Sequence, residues 1–531
     1  MLQGSSEVFS VGSVTEEYSE KNKNDCRMLT SYLCVSDYEG ILSLDLRHMT
    51  MMRIDGVPFE IIAAKIAAEC SEDIKKKYPE KMLRLAYEMY AGGMAREYEK
   101  LMSEIADMIP CLPASQEEKA HLMGEWTIVS VLPRIRDIRY VLGKYREAAS
   151  LMQGKSRVID SADSFTMGQN GLLGVYLMEP GTADDLLPLI REAVGLYSSF
   201  IGEAIPGADI LYEASLSYYR GNLNEAKQLA CKALYLLETT RQDALQISAG
   251  ELLALISIVQ GDVRGFGEAI DYMKLAADRS VNRPVCRGLV ELIRCGLLNS
   301  IGAYRETPEW LRNFSFATGE YGCGPFLDKP LAGNVHFAPV SYGVACWYHA
   351  QYLFLSGQYE RALAISDIML ELMIGNNRCI ILTLAFSALS ACCFKALGNE
   401  KKARKLTEQS VELVEPDGIY IMLLYFDSLL DGMAEECFKK KRMNFQKPAN
   451  FIKRTYLNGV DLLSREYVKA GFPDSLTRRE KDVASLAAQG MRNVDISKYL
   501  CISENTVKAH LKSIFEKLDV DKRSKLREKL K

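Results

Sequence analysis

GNLNEA (Gly221–Ala226) is a short phrase that returns along the chain. GQYERA (Gly357–Ala362) and GKYREA (Gly143–Ala148) repeat its pattern of Gly, four residues, then Ala. GDVRGF (from Gly261), GAYRET (from Gly302) and GNEKKA (from Gly398) are looser copies, and GMAREY (from Gly93) is an earlier one. From Gly143 onward the steps are 78, 40, 41, 55 and 41 residues, and GTADDL (from Gly181) lies near the midpoint of the first. Each phrase follows a stretch rich in Tyr, Leu and Ala. The spacing predicts a helix that stops at the Gly in a left-handed turn. The apolar or aromatic residue two positions on packs into the hairpin, and the Ala lets the second helix approach the first. A single helix pair cannot bury its apolar face, so pairs must stack into an all-α helical-repeat superhelix.

A period near 40 exceeds the roughly 34 residues of tetratricopeptide repeats, so the array resembles them without matching their length. We place it at residues 26–470. The first 25 residues are polar and read as a disordered N-terminus, with no basic segment leading into an apolar run as a secretory signal requires. The step from Gly302 to Gly357 is about 15 residues too long, and the excess falls within FSFATGEYGCGPFLDKPLAGNVHFAPVSYG (Phe314–Gly343). Insertions in repeat arrays map to loops on one face, so residues 312–345 read as a surface excursion, with contact to a ligand or partner as the alternative.

The chain has 531 residues, of which 48% are hydrophobic and 25% charged. Its longest uncharged run, Cys379–Phe394, has 16 residues. A membrane span needs about 20, so this run reads as a buried repeat helix and no membrane is expected as a partner. The 14 cysteines include no Cys-x-x-Cys pair, and the five histidines do not cluster near them. That argues against a zinc site or a disulfide framework, and for a reducing cytoplasm with no cofactor. Charge is uneven. Asp474–Lys531 carries 14 Lys and Arg against 9 Asp and Glu, a net of +5, whereas the rest of the chain carries −9. A basic end on an acidic body points to a terminal nucleic-acid module.

That module follows the helical stretch Phe451–Lys469 and the short linker GFPDS (Gly471–Ser475). Thr477 and Glu480 have the spacing of a capping box, Val483, Leu486 and Ala487 form an apolar stripe, and Gly490 stops the first helix. Asn493 caps a helix over Val494–Leu500, Cys501-Ile502 makes a tight turn, and Ser503 caps the next helix. On it Val507, Leu511, Ile514, Phe515 and Leu518 share one face. Asn505, Lys508, Ala509 and Lys512 lie opposite, toward the N-terminal end. A last helix is expected near Ser524–Leu530. Two short helices at a tight turn, the second carrying amides and ammonium groups around a small residue, have the layout of a DNA-reading helix-turn-helix. A capped N-terminus also offers backbone N–H groups to a phosphate.

The stretches Leu476–Gly490 and Asp495–Leu518, with their Ser-x-x-Thr-Val-Lys-x-His pattern, resemble the LuxR-type DNA-binding domain over about 55 residues. The resemblance implies a four-helix domain at 476–531 in which Lys508, Ala509 and Lys512 read the major groove. It makes Ser503, Asn505, Thr506 and Lys517 phosphate or flanking contacts and the last helix a dimer contact. Ser497 and Asp519 depart from the family's usual Ala and Gly. The body is similar to the large MalT-like regulators, with Pro308–Phe316 and Phe337–Gly343 resembling their sensor repeats. Those proteins begin with an ATPase domain, for which the sequence offers only Gly154-Lys155-Ser156. That tripeptide lacks the upstream Gly of a phosphate loop, since Ala149 stands there.

Together these features imply a bacterial transcription regulator and not an enzyme. The implied partners are double-stranded promoter DNA bound as a homodimer, RNA polymerase, and a small-molecule or protein effector acting on the array. The alternative is a repeat adaptor whose terminal module binds protein.

Overall fold

The computed structural model describes residues 24–49, 53–54, 57–166, 171–280, 283–314, 339–373, 378–441, 446–467, 476, 478–488, 493–499, 502–518 and 520. Most of the 312–345 insertion, the 471–475 linker, Thr477, Gly490, Cys501 and the expected helix at 524–530 lie outside the described residues, as do residues 1–23. Two compact units divide the chain, Met1–Val460 and Asp461–Lys531.

The first unit is a succession of antiparallel helix pairs. Ala208–Tyr219 packs on Leu223–Leu237, Asp243–Gln260 on Val263–Arg279, Pro339–Leu355 on Tyr359–Leu372, and Ile380–Ala396 on Glu400–Val414. The first helix of each pair also meets the first helix of a neighbouring pair, and Arg283–Ser300 bridges the second pair and the third. This is tetratricopeptide-like stacking. A two-residue hairpin, Arg53–Ile54 with Val57–Pro58, is the sheet found among the described residues.

The recurring phrase makes the turns, for a reason visible in the backbone. Gly93, Gly221, Gly261, Gly302, Gly357 and Gly398 have φ between +69° and +81°. At Gly221 the glycine N–H donates to the Tyr218 carbonyl, and the next N–H, of Asn222, donates to the Ser217 carbonyl, both at 2.8 Å. The same two bonds recur at the other five, with Gln358 to Leu353 and Asn399 to Phe394 at 2.8 Å. These are the two bonds of the Schellman motif, which satisfy carbonyls a helix end would otherwise orphan. The residue five after the glycine is buried each time: Tyr98, Ala226, Phe266, Thr307, Ala362 and Ala403.

Gly143 does not follow this rule. GKYREA lies inside the helix Ile138–Leu151, whose start is capped by Asp137 accepting from the Tyr140 N–H. The hairpin comes earlier, at Leu132–Arg134. The phrase matched because Ala148 and Val141 are two turns apart on one buried face, which gives a mid-helix Gly the same neighbours in sequence as a true turn.

The expected buried helix does form. Ile380–Ala396 has twelve buried residues, Cys392 and Cys393 among them. Among the described residues one helix, Asp243–Gln260, is long and apolar enough to cross a membrane, and 72% of it is buried within the fold.

The first unit also closes on itself. The Asp417 carboxylate accepts from the Gly181 N–H at 2.7 Å and the Ala183 N–H at 2.9 Å. The Ile380 N–H donates to the Leu177 carbonyl at 3.1 Å, and Arg136 donates to the Arg378 carbonyl at 2.6 Å. Nearer the N-terminus, buried Arg84 binds Glu88 and Asp163. It also donates to the carbonyls of Arg47 and Val158, which ties a loop to the first pairs.

Candidate nucleic-acid interface

In the second unit the helices Arg478–Ala488, Asn493–Tyr499 and Glu504–Leu518 pack around one small core. Leu476, Val483, Ala484, Leu486, Ala487 and Ile496 meet Val507, Leu511, Ile514 and Leu518, with Ile502 and Phe515 partly buried against them. The predicted stripe of the last helix is therefore its core face. The middle helix starts at Asn493 itself, one residue earlier than the sequence implied.

Ser503 begins the last helix as expected. Its Oγ accepts from the Thr506 N–H at 3.1 Å and lies 2.8 Å from the Thr506 hydroxyl. Its carbonyl accepts from the Val507 N–H at 3.1 Å. Ser503, Asn505, Thr506, Lys508, Ala509 and Lys512 are all exposed. They share the surface opposite Val507 and Leu511, because positions three, four and seven apart repeat on one side of a helix. The small Ala509 lies between the two lysines, so a groove wall can approach the backbone there. Lys508 lies 3.3 Å from Glu504, one turn earlier. An exposed pair of this kind contributes little, so the ammonium is easily recruited by a phosphate or base edge.

Lys517 is placed differently from the other six. Its ammonium donates to both oxygens of Glu480, at 2.9 and 2.7 Å. The Ser513 hydroxyl donates to the same carboxylate at 2.5 Å. Glu480 is 4% exposed. The acid read from sequence as half of a capping box thus clamps the first helix to the last, and Lys517 serves that clamp. Sequence offers no signal for it, since Glu480 and Lys517 are 37 residues apart and meet only in the folded core. Ser156, from the rejected phosphate-loop tripeptide, is also structural, donating to Glu125 at 2.5 Å.

Three helices around one core, the third presenting a capped, basic and otherwise uncommitted face, define a helix-turn-helix domain. Residues 474–528 match the luxR family of bacterial regulatory proteins, so this is a LuxR-type DNA-binding domain. Over a longer span the chain is similar to the HTH-type transcriptional regulator MalT of Vibrio parahaemolyticus serotype O3:K6, 19% identical over 73% of this chain and 43% of that protein. MalT of Vibrio campbellii is 18% identical over 86% of this chain and 51% of that protein. The chain thus spans about half the length of the MalT regulators it matches. The probable transcriptional regulatory protein SgaR of Hyphomicrobium methylovorum is 38% identical over 12% of this chain and 28% of its own.

Proposed function

We propose that this protein is a bacterial cytoplasmic transcription regulator that acts by binding and not by catalysis. Residues 476–531 bind double-stranded promoter DNA as a homodimer, with RNA polymerase as a further partner. The helical array at 26–470 receives a ligand or partner protein and controls that binding across the 471–475 linker. Lys508, Ala509 and Lys512 enter the major groove, while Ser503, Asn505 and Thr506 meet the flanking phosphates. Lys517 acts through Glu480 by fixing the helix that carries them.

The observation that carries this reading is the exposed face of Glu504–Leu518. Six exposed residues lie together at its N-terminal end, directly opposite four buried core residues. A repeat helix packed on both sides has no such free face. The low-identity likeness to MalT regulators supports the assignment of the array.

Footprinting of the full chain on genomic promoter fragments at low salt tests the reading. Paired protected half-sites with centres about 10 bp apart, or a multiple of that, are expected for a two-fold dimer. Binding should fall steeply with salt as released counterions compete. A chain that protects no DNA, yet retains a protein partner at all salt concentrations, is the adaptor instead.

A further inference from the structure

The helix Gln446–Tyr467 carries the chain out of the first unit toward the DNA-binding domain. Most helices of the array pack side by side. This one pairs lengthwise with none of them among the described residues and crosses their ends instead. Ile452 lies against Gly221, and Gly459 lies against Ile258 and Gly261. The Tyr456 hydroxyl donates to the Ser300 carbonyl at 3.4 Å. These are the C-terminal ends of Ala208–Tyr219, Asp243–Gln260 and Arg283–Ser300, at the consecutive turns of Gly221, Gly261 and Gly302. At the closest crossing, a Cβ added at Gly459 would overlap the Ile258 carbonyl oxygen. Glycine inside a helix weakens it relative to alanine, and the approach of two backbones accounts for it here.

The array keeps its own polar groups satisfied without this helix. Lys453 pairs with the Asp427 carboxylate, which is fully buried. That carboxylate also accepts from the Ala434 and Glu435 N–H groups, at 3.0 and 3.3 Å, so its charge stays held when the lysine leaves. The three glycine turns complete their two hydrogen bonds internally. What fixes the helix is mainly apolar: Ile452 and Tyr456 are buried, and Tyr456 stacks on Tyr425 at 4.3 Å between ring centres. A contact of this kind opens without orphaning a buried charge, as a local unit less stable than the fold around it.

We infer that Gln446–Tyr467 is a releasable strap that sets the reach of the DNA-binding domain. Docked, it leaves only the residues after Tyr467 as a tether. Released, it lengthens that tether by a helix of 22 residues, about 33 Å at about 1.5 Å per residue. Half-sites one DNA turn apart are separated by about 34–36 Å, so the added length matches one step in half-site spacing. Docked straps restrict a dimer to one spacing, and released straps admit others. An effector that binds the array better in one of these two states shifts the population toward it. This inference rests on the reading that the terminal domain binds paired half-sites.

Hydrogen exchange of the full chain without DNA tests the strap directly. Amides of residues 446–467 should exchange about tenfold or more faster than those of Asp243–Gln260, as a unit that opens before the array does. Gly459→Leu, which blocks the crossing, should raise strap exchange about tenfold further while Asp243–Gln260 stays protected. Lys453→Met, which introduces no clash, should do the same to a smaller extent and covers a Gly459→Leu that fails to fold. The inference is overturned if the parent strap exchanges only together with Asp243–Gln260, or if neither variant speeds its exchange. Reach is read separately, on the footprinted site with its half-sites moved apart by about 5 or about 10 bp, a half turn or a full turn. The parent should bind the respaced sites about tenfold or more weaker, and the variants should lose less than about threefold. Equal losses in parent and variants overturn the role in reach. A chain with no footprint at all sinks the DNA-binding reading, while exchange still decides whether the strap releases.

Discussion

Ile380–Ala396 in the array and Glu504–Leu518 in the terminal module are helices of similar length put to opposite uses. The first buries twelve of its 17 residues, and the second shows four buried among 15. One is consumed by its neighbours on nearly every side. The other anchors a single stripe and leaves the rest of its circumference to solvent. The difference shows that a repeat helix's stability and a reading helix's availability draw on the same surface, so one helix cannot maximise both.

Substitution in the array should break this contrast most visibly. Phe386 is fully buried against Trp347, and Phe386→Ala should destabilise the first unit by about 3–5 kcal/mol in urea denaturation. A loss below about 1 kcal/mol would mean the helix is not packed on all sides.

Next in size is a pH effect confined to the array. His349 is 1% exposed, its Nδ1 is 2.7 Å from the Leu311 carbonyl, and burial pushes its pKa down to about 4. The unfolded chain takes up this proton near pH 6.5 and the folded chain does not. Stability from this residue is therefore present above pH 6.5 and is lost as pH falls toward 4, by on the order of 3 kcal/mol. Thermal unfolding of His349→Asn should show a flatter pH profile across that window than the parent.

In the terminal module the expected change is in affinity. Lys508→Ala or Lys512→Ala should cost about 1–3 kcal/mol of operator binding for a base contact, with stability changed by less than about 0.5 kcal/mol. Fluorescence anisotropy against operator and scrambled duplexes separates the two contact types. An equal loss on both duplexes would assign that lysine to phosphate. Lys517→Ala should instead lower stability, because its ammonium holds Glu480.

The smallest effects concern two glycines that look alike in sequence. Gly357 has φ +81° with nothing within 4 Å of an added Cβ, so Gly357→Ala should cost about 1–2 kcal/mol from backbone strain. Gly143 is mid-helix with equally open space, so Gly143→Ala should stabilise by up to about 1 kcal/mol. Opposite signs in thermal melts are the expected outcome, and equal signs would undo the distinction.

Much of this was legible in the sequence because it is local. A Schellman turn needs its glycine, and the buried position five residues later follows from helical geometry, so both leave a mark within one phrase. The stripe Val507, Leu511, Ile514 and Leu518 is legible for the same reason. Gly143 misled because a mid-helix glycine five residues before the buried Ala148 mimics that mark. The Glu480 clamp, the Arg84 cluster and the Asp417 seam were illegible, since each joins side chains to groups brought together only by tertiary packing.

The Asp417 seam also says something about how the molecule comes to exist in time. Each glycine turn closes its own hydrogen bonds within a few residues, which is the cheapest kind of contact to find in a search. Gly181 and Asp417 are 236 residues apart, and the entropy of closing such a loop is met only once the hairpins between them have shortened the chain. Hairpins are thus the early events of folding and the seam a late one.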